Sequence, residues 1–167
     1  MVFNKTRLIK FLFFILILSL GLNAEQVEVT ADNFFADEIK LESVLTGNVK
    51  MKKGSFDTLN SDKFFIYFDK DKNPLKYKAT GNARFNIMIN NSEYKGKGDI
   101  LTYDPNTNIY TLEGNAYINE ITTKREVFGD KITISQDNGK YEVESSRSSK
   151  NPSKKPARLI FQIEDKG

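Results

Sequence analysis

Cysteine, histidine and tryptophan are absent from this chain, and proline occurs only four times. Without histidine and cysteine it lacks the usual general base, the thiol nucleophile and the common soft metal ligands. Disulfides are excluded as well, so a folded domain here is held by packing alone. Long apolar runs are scarce. The longest, Phe11 to Leu22, follows Lys5, Arg7 and Lys10 and precedes Leu22-Asn23-Ala24, a cleavage pattern before Glu25. As a helix it spans ~18 Å, against ~30 Å for the hydrocarbon core of a bilayer. A cleaved export signal over residues 1–24 is the expectation, with a retained anchor as the alternative; the lack of cysteine excludes a lipoprotein anchor. Removing the signal takes three basic residues and no acid, which leaves the charges balanced at 22 of each sign. Steering toward nucleic acid is therefore not expected.

What the chain does have is a repeat. Leu45-Thr46-Gly47-Asn48-Val49-Lys50-Met51 recurs as Ala79-Thr80-Gly81-Asn82-Ala83-Arg84-Phe85 and as Leu112-Glu113-Gly114-Asn115-Ala116-Tyr117-Ile118. Positions two before, two after and four after each glycine are apolar and share one face of a strand. A second element follows each copy, opening at Asp62, Asp99 and Asp130, with apolar residues two and four places on. Asp32-Asn33-Phe34-Phe35-Ala36 reads as an incomplete copy at the start. A period within about 20–50 residues marks stacked units rather than a unique catalytic core.

Strand patterns fill the rest. Ala83, Phe85, Ile87 and Ile89 alternate with Arg84, Asn86 and Met88, which predicts a strand with one buried face. Phe64 to Phe68 is apolar on both faces and predicts a central strand covered on each side. Turn signals separate the runs: Lys53-Gly54, Asp71 to Pro74, Asn90-Asn91, Asp104-Pro105-Asn106 and Asp137-Asn138-Gly139. The Gly-Asn pairs lie inside strand pattern, so the glycines are expected at bulges. Asp32, Asp62, Asp99 and Asp130 open equivalent strands, which spreads them along an edge rather than around one ion. Their expected role is the turn residue that hydrogen-bonds its own backbone. Lys50, Lys52 and Lys53, like Lys76 and Lys78, read as a solvated face. Ser145 to Arg158 is basic, holds two prolines and predicts a flexible loop; Leu159 to Ile163 returns to strand character. Thirteen Phe and seven Tyr fit either a filled core or an open greasy trough.

The ordered repetition of the Gly-Asn strand, the aspartate-led strand after it, the Tyr103-Asp104-Pro105 turn and the export signal together resemble the OstA-like family over about residues 26–144. The resemblance implies an all-β open jelly roll over residues 25–144, two antiparallel sheets forming a V-shaped apolar groove. It implies no enzymatic activity, no cofactor and no metal. The implied role is a periplasmic bridge carrying lipopolysaccharide, held by its lipid A part, between inner-membrane LptC-like and outer-membrane LptD-like components as a head-to-tail homo-oligomer. A membrane-anchored LptC-like member, a structural envelope protein and a carbohydrate-binding β domain stay open beside it. On this reading the repeated apolar face, Phe64, Ile66, Phe85, Ile87, Leu101, Tyr103, Ile118, Ile132 and Ile134, lines the lipid path. Lys150, Lys154 and Lys155 are expected to contact anionic groups. Val27 and Val29 at the start, with Leu159, Phe161 and Ile163 in the terminal strand and tail (159–167), are expected to form the assembly edges, since neither segment carries the lysine or proline that blunts an edge.

Overall fold

A computed structural model describes residues 26–146 and 155–163. Ten strands follow in order: β1 (Val27–Thr30), β2 (Asn33–Asp37), β3 (Glu42–Lys53), β4 (Asp57–Phe68), β5 (Pro74–Ile89), β6 (Ser92–Asp104), β7 (Ile109–Glu120), β8 (Arg125–Ser135), β9 (Tyr141–Glu144) and β10 (Arg158–Ile160). Every expected turn falls at a junction between two of them, with Lys53, Pro74 and Asp104 as the adjoining strand ends. Asn90 and Asn91 both take left-handed angles, φ 48 and 63, as a two-residue hairpin between β5 and β6 requires. At Asp69 and Asp104 the carboxylate accepts backbone N–H groups two residues on, at 2.8 Å each, and so sets the turn.

All strands pair antiparallel in the order β1-β3-β4-β5-β6-β7-β8-β10, with β2 also on β3 and β9 also on β8. The two expected sheets are thus two leaves of one hydrogen-bonded sheet, divided by a line of bulges. In β3, Gly47-Asn48 stands opposite the single residue Asp62; Gly81-Asn82 stands opposite Asp99, and Gly114-Asn115 opposite Asp130. Glycine and asparagine are both left-handed at each copy, the former at φ 72 to 79. Two such residues against one bend every long strand at the same level.

The aspartates do something other than the expected turn. Asp32, Asp62 and Asp99 reach across to the next strand's corner and accept the amide of Asn48, Asn82 and Asn115 at 2.8, 2.9 and 3.1 Å. Each carboxylate occupies the place where a Cβ on Gly47, Gly81 or Gly114 would lie. Asp32, read as an incomplete copy, therefore completes the corner of Gly47. Asp130 closes the series differently: it accepts the backbone N–H of Ser146 at 2.7 Å and also its hydroxyl.

The core follows from this bend. Leu45, Phe64, Ala79, Leu101, Leu112 and Ile132 are successive cross-strand partners on one leaf. Phe85, Ile118 and Val127 lie on the other, and all nine belong to one buried cluster. Two expectations need correcting. No second layer covers the outer face of β4 among the described residues: Phe65 and Tyr67 stack there, 6.3 Å apart and half-buried, with the Lys78 ammonium over the Phe65 ring. The terminal strand is Arg158–Ile160, so Phe161 and Ile163 lie beyond it, because pairing with β8 ends at Ile160 and Glu126. The expected signal over residues 1–24 lies outside the described residues.

A methyl group at Gly114 would strike the Asp99 carboxylate and would also hold an L side chain at φ 72. Gly139 has a similar φ of 66 but no clash, its nearest neighbour, the Asn90 amide, being at an ordinary contact distance of 3.6 Å. Urea unfolding is expected to show Gly114→Ala losing about 2 kcal/mol or more and Gly139→Ala only about 1 kcal/mol, the left-handed cost alone. Equal losses would refute the corner as a packing device.

Candidate functional site

The leaves do not close fully on each other. Between them lies a cleft of about 160 Å³, bordered by Met51, Leu59, Phe85 and Ile87 of one leaf and by Phe64, Leu101 and a row of tyrosines of the other. That row is set by register. Tyr77 pairs with Tyr103 and Tyr103 with Tyr110, so period-2 alternation turns all three rings to the inner face. With Phe64 they form a stacked wall: Phe64–Tyr77 6.0 Å, Tyr77–Tyr103 6.1 Å, Tyr103–Tyr110 4.3 Å between centroids. The Tyr103 hydroxyl donates to Asn108 Oδ1 at 2.9 Å, so its polar end is satisfied while its ring faces the cleft. On the opposite leaf Gly96 lies across from Phe85 and leaves the space that this ring fills.

Of the nine residues named for the apolar path, Phe64, Phe85, Ile87, Leu101 and Tyr103 border the cleft. Ile66 is half-buried against the core. Ile132 is 0% exposed and belongs to the filled interior. Ile118 and Ile134 border a second, smaller cavity, where Arg125 Nη2 meets the Glu120 carboxylate at 2.9 Å. Glu120 is 5% exposed while the Arg125 side chain reaches solvent, so the apolar interior ends there on a buried carboxylate paired to a half-exposed guanidinium. Tyr77 and Tyr110 are not among the nine, although their register with Tyr103 follows from the turns at Asn90-Asn91 and Asp104-Pro105. Lys155 borders a depression on the outer face with Lys97 and Arg158, and its carbonyl accepts the Ser145 hydroxyl at 2.6 Å. Lys150 and Lys154 lie outside the described residues.

Both sheet ends are edges. Val27 and Val29 stand in β1, paired to Lys53 and Met51; Leu159 stands in β10, paired to Val127 and still 51% exposed. Phe34, 66% exposed in β2, extends the Leu45–Phe64 row to the first edge.

An open antiparallel sheet, folded along a line of corners around an aromatic-walled apolar cleft, defines an open β-jelly roll. The chain belongs to the family of the LptA/(LptD N-terminal domain) LPS transport proteins, which it matches over residues 28–140. Among solved structures it is similar to LptH from Pseudomonas aeruginosa, the LptA homologous periplasmic component of a lipopolysaccharide transport device. The two are 18% identical, the match covers 83% of this chain and 96% of that one, and the TM-score is 0.71. At that identity the likeness shows the fold alone. Comparison with curated sequences finds no match.

Burial raises the Tyr77 phenol above its ordinary value, helped by Tyr103 and opposed by Lys53. Burial does the same for Tyr94, with Glu120 adding to it. Both groups keep their protons to higher pH in the fold than in the unfolded chain. Their stabilising effect is complete below the unfolded phenol value near 10 and is lost as pH rises through the folded values. Urea unfolding between about pH 9 and 11 is expected to show falling stability, with a shallower fall in a Tyr77→Phe, Tyr94→Phe double variant. An unchanged slope in that variant would refute the assignment.

Proposed function

We propose that this chain carries lipopolysaccharide across the periplasm by sheltering its acyl chains in the cleft between the leaves. The observation that carries the reading is the aromatic wall Phe64–Tyr77–Tyr103–Tyr110 facing aliphatic side chains, in a chain that belongs to a lipopolysaccharide transport family. An acyl chain cannot cross water exposed, because each buried methylene is worth about 0.8 kcal/mol. A trough with few polar groups holds such a chain without fixing its position along the wall, which suits transfer better than a deep specific pocket. The protein does no chemistry on its cargo, and the energy for directional flow comes from elsewhere. Residues 1–24 direct export and are removed, so the mature protein begins at Glu25.

A photoreactive residue at Ile87 or Tyr77 is expected to capture lipopolysaccharide in cells, and one at Arg84, exposed on the opposite face, is not. Equal capture from both faces would overturn the reading.

The same proposal includes assembly. β1 and β2 end the sheet on one side and β9 and β10 on the other, and unpaired strand edges join by main-chain hydrogen bonds. Head-to-tail contact of unlike edges need not close, so protomers form chains that bridge LptC-like and LptD-like components. Glu28→Pro in β1 and Leu159→Pro in β10 are each expected to shift sedimentation toward monomer, since proline removes a ladder donor. Mixed together, the two variants retain one intact edge of each kind and are expected to give dimers but no longer chains. Oligomers indifferent to both prolines would refute this mode.

A further inference from the structure

Lys53 closes β3 and, from its neighbours Lys50 and Lys52, reads in sequence as part of a solvated face. The fold places it differently. Among the described residues it is the one basic side chain that borders the cleft. Its Nζ stands 5.9 Å from the centroid of Tyr103, which belongs to the other leaf, so the ammonium spans the mouth between the two. Tyr77, one step along the same wall, also senses this cation, which draws its phenol down against burial and against Tyr103. Asp57, the cross-strand partner of Lys53, is the acid in the same lining, and its Oδ1 accepts the Met88 backbone N–H at 3.0 Å. A cation, with Asp57 beside it, is thus held at the rim of a largely apolar slot, where water is partly excluded and screening is weaker than at an open surface.

We propose that Lys53 is a specificity-determining residue that contacts an anionic group at the head of an acyl chain seated in the cleft. The ligand class it selects is a lipid with a phosphate or carboxylate beside its chains, over a neutral lipid of equal chain length. The inference rests on the reading of the cleft as a lipid site. The apolar wall supplies affinity for any chain, and Lys53 adds a charge-assisted contact that only an anionic amphiphile can make. A different role, a cation–π clamp that merely holds the leaves at their spacing, would affect every ligand alike.

The test is calorimetric titration of the full protein at low salt with dodecyl phosphate, dodecyl maltoside and inorganic phosphate, each below micelle formation. Lys53→Met keeps the apolar stem and removes the charge. It is expected to weaken dodecyl phosphate about tenfold, ~1.4 kcal/mol, and to leave dodecyl maltoside unchanged. Lys53→Arg is expected to restore the preference for the phosphate, and inorganic phosphate alone is expected not to bind. Equal losses for both amphiphiles, no loss for either, or tight binding of free phosphate would overturn the assignment to Lys53 while leaving the cleft as a lipid site. Failure of both amphiphiles to bind the unmodified protein would instead overturn the lipid reading, and this inference with it.

Discussion

The contact between an aspartate carboxylate and a glycine–asparagine corner is the constraint on which the rest of the structure depends. Asp32, Asp62 and Asp99 each fill the space of a missing Cβ and accept the neighbouring asparagine amide. The strands that carry these corners are long, 12 residues in β3 and 16 in β5, against about 5–6 for a common strand. Run straight, such strands would make one broad ribbon with an apolar face and nothing to cover it. Bent together at one level, they bring that face against itself. A local hydrogen bond repeated across the sheet therefore does what a second sheet does in a sandwich.

The side chains beside the bend fit this geometry. Ser61, Ala83, Gly98, Ala116 and Gly129 lie next to the corners on one leaf, and all are small. The leaves can converge there, while Phe85, Ile87 and the tyrosine row farther from the bend hold them apart. An interior graded from small to bulky side chains closes along the fold line and stays open away from it. Filling that opening with protein would stabilise the molecule but leave no room for an apolar cargo. The cleft is thus stability left unclaimed, apolar surface that the fold itself does not cover.

The ends of the sheet obey the same rule of division. β2 and β1 pair with the two halves of β3, and β9 and β10 pair with the two halves of β8. The first end is in effect one long strand interrupted at the corner, and at the second end β9 and β10 take the two halves of β8. At the second end Ser146 replaces the asparagine, and its backbone N–H and hydroxyl both go to Asp130. The corner hydrogen bond survives there without the Gly-Asn pair, so the carboxylate is the constant element and its donor is the variable one.

Much of this was written in the chain. Alternation of apolar and polar residues, turn dipeptides and a regular glycine were enough to give an all-β repeat, its bulges and most of its inner face, because these depend on neighbours two to four residues apart. The family resemblance was legible on the same residues. Other features depended on which strand lies next to which. The partner of Asp62 is Asn82, a strand away, where sequence order suggested a local turn. Phe65 and Tyr67 lie on an outer face that no layer covers among the described residues, although their hydrophobicity predicted one. Whether Ile132 or Tyr103 faces open space was undetermined by type or spacing, since both occupy the same repeated face. Lys53 differs from Lys52 only in which side of the pleat it takes and in what stands across from it. The sequence by itself determined the strands, their inward faces and their corners, through short-range periodicity. Tertiary structure alone decided which inward residues are core, which border the cleft and which charge guards its mouth, because those follow from the separation of two leaves that meet only after the sheet has bent.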